Sequence, residues 1–259
     1  STNNVQRLPV PVFSEFDLEG SFNDNNSSSP LNITVDHKAF AWSKAGHRKY
    51  VIVEYTINNQ SSNTLSNLYA GIFTDWDIAM GDANGYLNNI ATTDESRYLG
   101  YTYNTTNGGL YAGVQVLTTD TAANNFIHYA IDNDGTNGSV DIYSDYLSSH
   151  KYTTLSTMRT NAGERDVSNV VSQGPFNVAA GSSIVVAFAV LAGDDLADIQ
   201  ETADSAWKEY NGFVLNDVTP IDTTGGPQPL SLSEKNSGTV LYPAFPNPNN
   251  GTATIQFNL

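Results

Sequence analysis

What most constrains this chain is a two-residue alternation of apolar and polar side chains, broken at short intervals by Gly, Asn and Asp. Leu31, Ile33 and Val35 alternate with Asn32, Thr34 and Asp36, and Tyr50 to Ile57 reads YVIVEYTI, rich in β-branched and aromatic residues. Leu68 to Ile78, Tyr98 to Tyr103, Leu110 to Leu117 and Phe126 to Ile131 repeat the pattern between turn clusters. Successive strand side chains point to opposite faces, so such segments bury one face and must pair their backbones in sheets. Ser183 to Leu191 (SIVVAFAVL) is apolar on both faces, as befits a central strand covered on each side. One segment departs from this habit. Leu196, Ile199, Ala203, Ala206, Trp207 and Tyr210 recur at helical spacing, with Asp194 or Asp195 as cap, Lys208 in the last turn and Gly212 as the stop. The expected fold is all-β: an antiparallel two-sheet sandwich, jelly-roll-like, with one late α-helix at about 194–210.

Changes of composition divide the chain. Residues 1–30 are polar and irregular and read as an extended N-terminal arm, 31–222 as the sandwich, 223–239 as a Thr/Ser/Gly/Pro-rich linker, and 240–259 as a separate proline-led segment. The start at Ser1 suggests a mature or excised piece of a longer protein.

Charge and cysteine content narrow the chemistry. With 27 acidic against 11 basic residues the formal net charge is −16, which repels nucleic acid and anionic membranes and attracts divalent cations. No apolar run is long enough to span a bilayer. The 259 residues contain no cysteine, so disulfides, thiol nucleophiles and thiolate metal sites are excluded, leaving oxygen ligands and four histidines.

Two acidic groups stand out. In the first, Asp75 and Asp77 fall on one face of a predicted strand, with Asp82 and Asp94 following. Carboxylates held that close repel unless a cation or a raised pKa neutralises one, and calcium, with six to eight oxygen ligands, suits the role. An empty solvated acidic loop, or an acid/base hydrolase pair, are the other readings of these residues. In the second group, Asp132-Asn133-Asp134-Gly135 alternates like part of a calcium loop; the EF-hand register fails, since Ala130 holds the first-ligand place, and an Asp-Gly turn explains the run without an ion. The candidate metal ligands are thus Asp75, Asp77, Asp82, Asp94, Asp132 and Asp134. Trp76, Tyr86, Tyr101 and Tyr103 are candidate sugar-stacking residues, cross-strand packing being the plainer account. The histidines at 37, 47, 128 and 150 stand singly, no Gly-x-Ser-x-Gly presents a nucleophile, and adjacent Asp36 and His37 point to opposite sides of a strand.

Residues 241–259, LYPAFPNPNNGTATIQFNL, join a proline-stiffened turn to one alternating strand whose partners are not in the sequence. Tyr242, Pro243, Pro246, Asn247, Pro248, Thr252, Thr254 and Ile255 make this segment resemble the opening of the C-terminal sorting domain of proteins exported by the type IX secretion system of Bacteroidota, with Ala244 and Phe245 as an insertion. Further upstream, LYAGIFTDWDI, RYLGYTYN, LYAGVQVL, HYAIDNDGTNGS and AGSSIVVAFAVLAGDDLADIQETADSAWKEY resemble a non-catalytic region that follows the peptidase domain in secreted subtilisin-like serine peptidases of such bacteria. The resemblance implies a secreted or cell-surface location and a parent protein whose peptidase motifs lie outside this chain. Taken together, the expectation is a calcium-stabilised, non-catalytic module that stabilises, spaces or attaches a larger assembly. Its expected partners are other domains of the parent, and possibly itself or cell-surface polysaccharide. A carbohydrate-binding module, and a filament or surface-layer subunit built by adding the edge strand Ala253–Leu259, are the rival expectations.

Overall fold

The computed structural model describes residues 5–78, 84–106, 109–118 and 125–212. The expected linker and sorting segment at 223–259, and the edge strand within it, lie outside the described residues, as does Asp82.

Twelve described strands form two sheets in which every strand pairing is antiparallel. The larger sheet runs β1 (Gln6–Arg7), β2 (Phe16–Asn23), β3 (Ile33–Ala41), β4 (Tyr50–Asn59), β12 (Ser183–Gly193), β8 (Tyr111–Val116), β7 (Leu99–Asn104), β6 (Asn89–Asp94) and β10 (Asn161–Arg165). The smaller runs β5 (Leu65–Asp75), β11 (Val167–Val178) and β9 (Phe126–Asp132). The jelly-roll comparison holds for the two-sheet, antiparallel build; the strands divide nine against three.

The apolar run of β12 is satisfied on both sides. Val186 and Phe188 point into the core between the sheets, against Val114, Val116, Val171, Phe176 and Val178. Ala187, Ala189 and Leu191 point the other way, where Ile199, Ala203, Ala206 and Trp207 of helix α2 (Leu196–Asn211) cover them. Trp207 is 1 % exposed, and burial of a side chain of that size contributes roughly 1.5–3 kcal/mol. The helix starts where the Asp195 side chain accepts the Asp198 N–H and stops at Gly212, whose φ of 77° a residue with a Cβ rarely adopts.

The larger sheet begins earlier than the sequence suggests. Residues expected to form a separate arm include β2, which pairs with β3 from Phe16↔Ala41 to Asn23↔Thr34. Asp17 and Glu19 disguise this strand, yet Asp17 is only 1 % exposed, because its carboxylate accepts the N–H groups of Val12, Phe13 and Ser14 and the Ser14 hydroxyl. A second unexpected element, helix α1 (Ser148–Ser156), covers the outer face of the smaller sheet, where the Ser172 hydroxyl donates to Leu155 O at 2.7 Å.

Candidate metal centre

Three strand ends meet at one end of the smaller sheet. β5 finishes at Asp75, whose register partner Ser168 stands second in β11, and Asp166 immediately precedes β11. Asn133 follows β9, and its N–H donates to Asp166 O at 3.1 Å. The topology therefore brings together residues far apart in sequence: carboxylate oxygens of Asp75, Asp77 and Asp166 all lie within 4.8 Å of one another. Asp77 sits in the turn just beyond β5, not inside the strand as the sequence suggests, and the Ile78 N–H donates to Trp76 O at 3.1 Å there.

A buried amide holds the group in place. Asn133 is 0 % exposed; its Nδ2 donates to Asp75 Oδ1 at 3.2 Å and to Asp166 Oδ1 at 2.8 Å. Ser168 Oγ lies 2.7 Å from Asn133 Oδ1 and 2.8 Å from Asp75 Oδ1. The exposed Tyr143 donates its hydroxyl to Asp166 Oδ2. That bond, with burial and the carboxylates' charge adding to it, pushes the Tyr143 pKa up to about 12. Burial, then the charges of Asp75 and Asp166, push the Asp77 carboxyl above its ordinary range. Among the described residues none of the three carboxylates has an ion-pair partner. Three neighbouring carboxylates, two of them exposed, make a group that could hold a hard divalent ion.

Of the other acidic candidates, none described joins this group. Asp94 accepts the Ser96 N–H, pairs with Arg97 at 2.9 Å and accepts Gln200 Nε2 at 3.0 Å, tying α2 to the turn after β6. The structure places Asp132, a candidate metal ligand in the sequence, in buried ion pairs. Its register places it on the face opposite Asn133, where Arg159 Nη2 lies at 2.7 Å, Arg165 Nε at 3.3 Å, and the Gly163 N–H donates at 3.0 Å. Two guanidinium groups already balance its charge. Asp134 accepts the Thr136 N–H and hydroxyl beside Gly135 at φ 75°, which is the Asp-Gly turn the sequence also allows.

The aromatic candidates also disperse. Trp76 packs into the core between the sheets, and its backbone carbonyl accepts Asn89 Nδ2 at 3.0 Å. Tyr86 lies apart, half-buried in the short 3-10 turn Gly85–Asn88. Tyr101 and Tyr103 line up with Tyr111 across β7 and β8, ring centroids 5.1 to 6.3 Å apart. This is cross-strand packing, with Tyr101 nearly buried. Asp36 binds Asn58 while His37 packs between Phe22 and Tyr55, so the pair do diverge. Among the described residues no histidine is hydrogen-bonded to a serine hydroxyl. His47 contacts Tyr50 and Glu209, His128 binds Asn169, and His150 binds Asp145.

Sequence reasoning missed Asp166, Asn133, Ser168 and Tyr143. The one available signal was the Asp132-Asn133-Asp134 run, whose middle residue is the one that faces the carboxylates. In comparisons with known proteins the chain matches no family model and no curated protein.

Proposed function

We propose that this chain is a non-catalytic extracellular β-sandwich module of a larger secreted or cell-surface protein, and that a calcium ion on Asp75, Asp77 and Asp166 stabilises it. The observation that carries the reading is the convergence of three unpaired carboxylates where β5, β9 and β11 end. Calcium there joins the end of β5 and the connection that follows it to the residue that precedes β11. The resemblance of residues 241–259 to a type IX sorting segment supports export, and the millimolar calcium met outside cells suits a three-carboxylate site of modest affinity. The dispersed histidines, and the exposed setting of Asp75 and Asp77, favour scaffolding over hydrolysis. Its role is to stabilise, space or attach neighbouring domains of the parent.

Calorimetric titration of chelated protein with calcium tests this. At a hundredfold excess over Kd, binding stabilises the fold by about 2.7 kcal/mol, a rise of roughly 5–10 °C in Tm for a domain of this size. Asp77→Asn removes both the heat and the Tm rise, while raising the chelated protein's stability by a few tenths of a kcal/mol, about the scale of exposed charge pairs. A Tm that is the same in calcium and in EDTA refutes the metal site.

A further inference from the structure

A sheet edge presents unpaired N–H and C=O groups to any chain that can align with it, and proteins blunt such edges with lysine, proline, bulges or covering segments. Of the four sheet edges formed by the described strands, three are blunted. β1 has two residues, and β10 has five with a register shift between Gly163 and Arg165. β9 is bridged on its outer side, where the Arg159 N–H donates to His128 O and the Ala130 N–H to Arg159 O, both at 2.8 Å. Six of its seven residues are buried.

β5 differs. It is eleven residues long, none of them buried, and among the described strands it pairs with β11 alone. Its sequence, LSNLYAGIFTD, has no lysine, arginine or proline. Opposite Leu65 and Leu68 the pairing is irregular, but from Ala70 to Asp75 it runs unbroken against Gln173 to Ser168. Two surfaces flank this regular stretch. Phe73, 43 % exposed, stands against Tyr146, and Tyr69 against Tyr152 of α1. At the far end lie the carboxylates of Asp75, Asp77 and Asp166.

We propose that the outer edge of Ala70–Asp75 accepts an extended segment of another polypeptide as a fourth strand, one that sets an apolar side chain beside Phe73 and a lysine or arginine at Asp75, Asp77 and Asp166. Backbone pairing supplies affinity, and the alternate side chains supply selectivity. The charge argument fixes the occupant. A second copy would bring a net charge of −16 and an edge strand with no basic residue, so it is the poorer fit. This inference does not rest on the calcium reading; an ion on these three carboxylates would compete with the partner's cationic side chain.

The test uses the full chain in EDTA, with a short fluorescein-labelled peptide that repeats valine-threonine-lysine-threonine, so that valine and lysine fall on one face, followed by fluorescence anisotropy. Saturable binding is expected, weakened by at least about tenfold in Phe73→Lys/Asp75→Lys and in the milder Phe73→Ser/Asp75→Asn. A peptide of the same sequence N-methylated at alternate amides, which keeps the charge and loses the pairing, is expected not to bind. Absence of saturable binding to the unaltered chain, or equal binding of the methylated peptide, overturns the proposal.

Discussion

Lowering the pH from 7 to 5 destabilises this fold through one buried ring, that of His128. The side chain is 0 % exposed between the sheets, with Nε2 2.7 Å from Asn169 Oδ1, and Asn169 Nδ2 donating to Thr102 Oγ1 at 2.6 Å. Among the described residues Nδ1 has no partner, and a Cβ added at Gly100 would lie 2.4 Å from His128 Cδ2, so that side of the ring packs closely on β7. Burial pushes its pKa down to about 4, the bond to Asn169 opposing only in part. The native state therefore binds fewer protons than the unfolded chain, whose histidine titrates near 6.5. Stability from this group is complete above about pH 6.5 and declines as the pH falls toward 4. The decline is about 3 kcal/mol in full, of which about 2 kcal/mol is reached by pH 5. Urea unfolding of the unaltered chain and of His128→Gln at the two pH values isolates the effect, because other titrating groups cancel in the difference. The unaltered chain is expected to lose about 2 kcal/mol more than the variant. Imidazole resonances should report a neutral ring at pH 5.5. Equal losses in the two proteins, or a ring that titrates near 6.5, would refute the reasoning.

Two further predictions concern packing. Asp132→Asn leaves Arg159 and Arg165 facing a neutral buried amide and should cost about 3–5 kcal/mol in urea unfolding, whereas Asp134→Asn at the exposed turn should cost under about 1 kcal/mol; similar losses would count against a structural role for Asp132. Gly193→Ala sets a Cβ 2.4 Å from Ile199 N, forcing α2 off the end of β12, and a loss of about 1–3 kcal/mol is expected; an unchanged thermal midpoint would show that the helix can shift freely.

The elements legible in the sequence are those whose burial is apolar. β12 announces itself because both of its faces meet hydrocarbon, and α2 because its buried stripe is Ile199, Ala203, Ala206 and Trp207. β11 is at least as central, yet its buried set includes Ser168, Asn169, Ser172 and Gln173, which read as loop residues until their partners are known. α1 (SSHKYTTLS) is hidden for a related reason, since Thr154 is its one buried side chain. At the carboxylate site, Asp75 and Asp77 are visible as near neighbours, but Asp166 joins them only through the Asp75↔Ser168 register, and nothing local encodes that pairing. Burial of Asp132 is likewise invisible, because the arginines that neutralise it stand on or beside a strand, β10, that the sequence does not reveal.

The place of β12 in the larger sheet has a consequence for assembly of the chain. Four strands on one side and four on the other meet only through this segment, the last strand in chain order among the described residues. Until it arrives, β4 and β8 each expose an unzipped border, and the two wings have no common hydrogen-bonded seam. A nascent chain therefore has no backbone pairing between the two wings of this sheet until Ser183 to Gly193 is free to insert and close the gap between them.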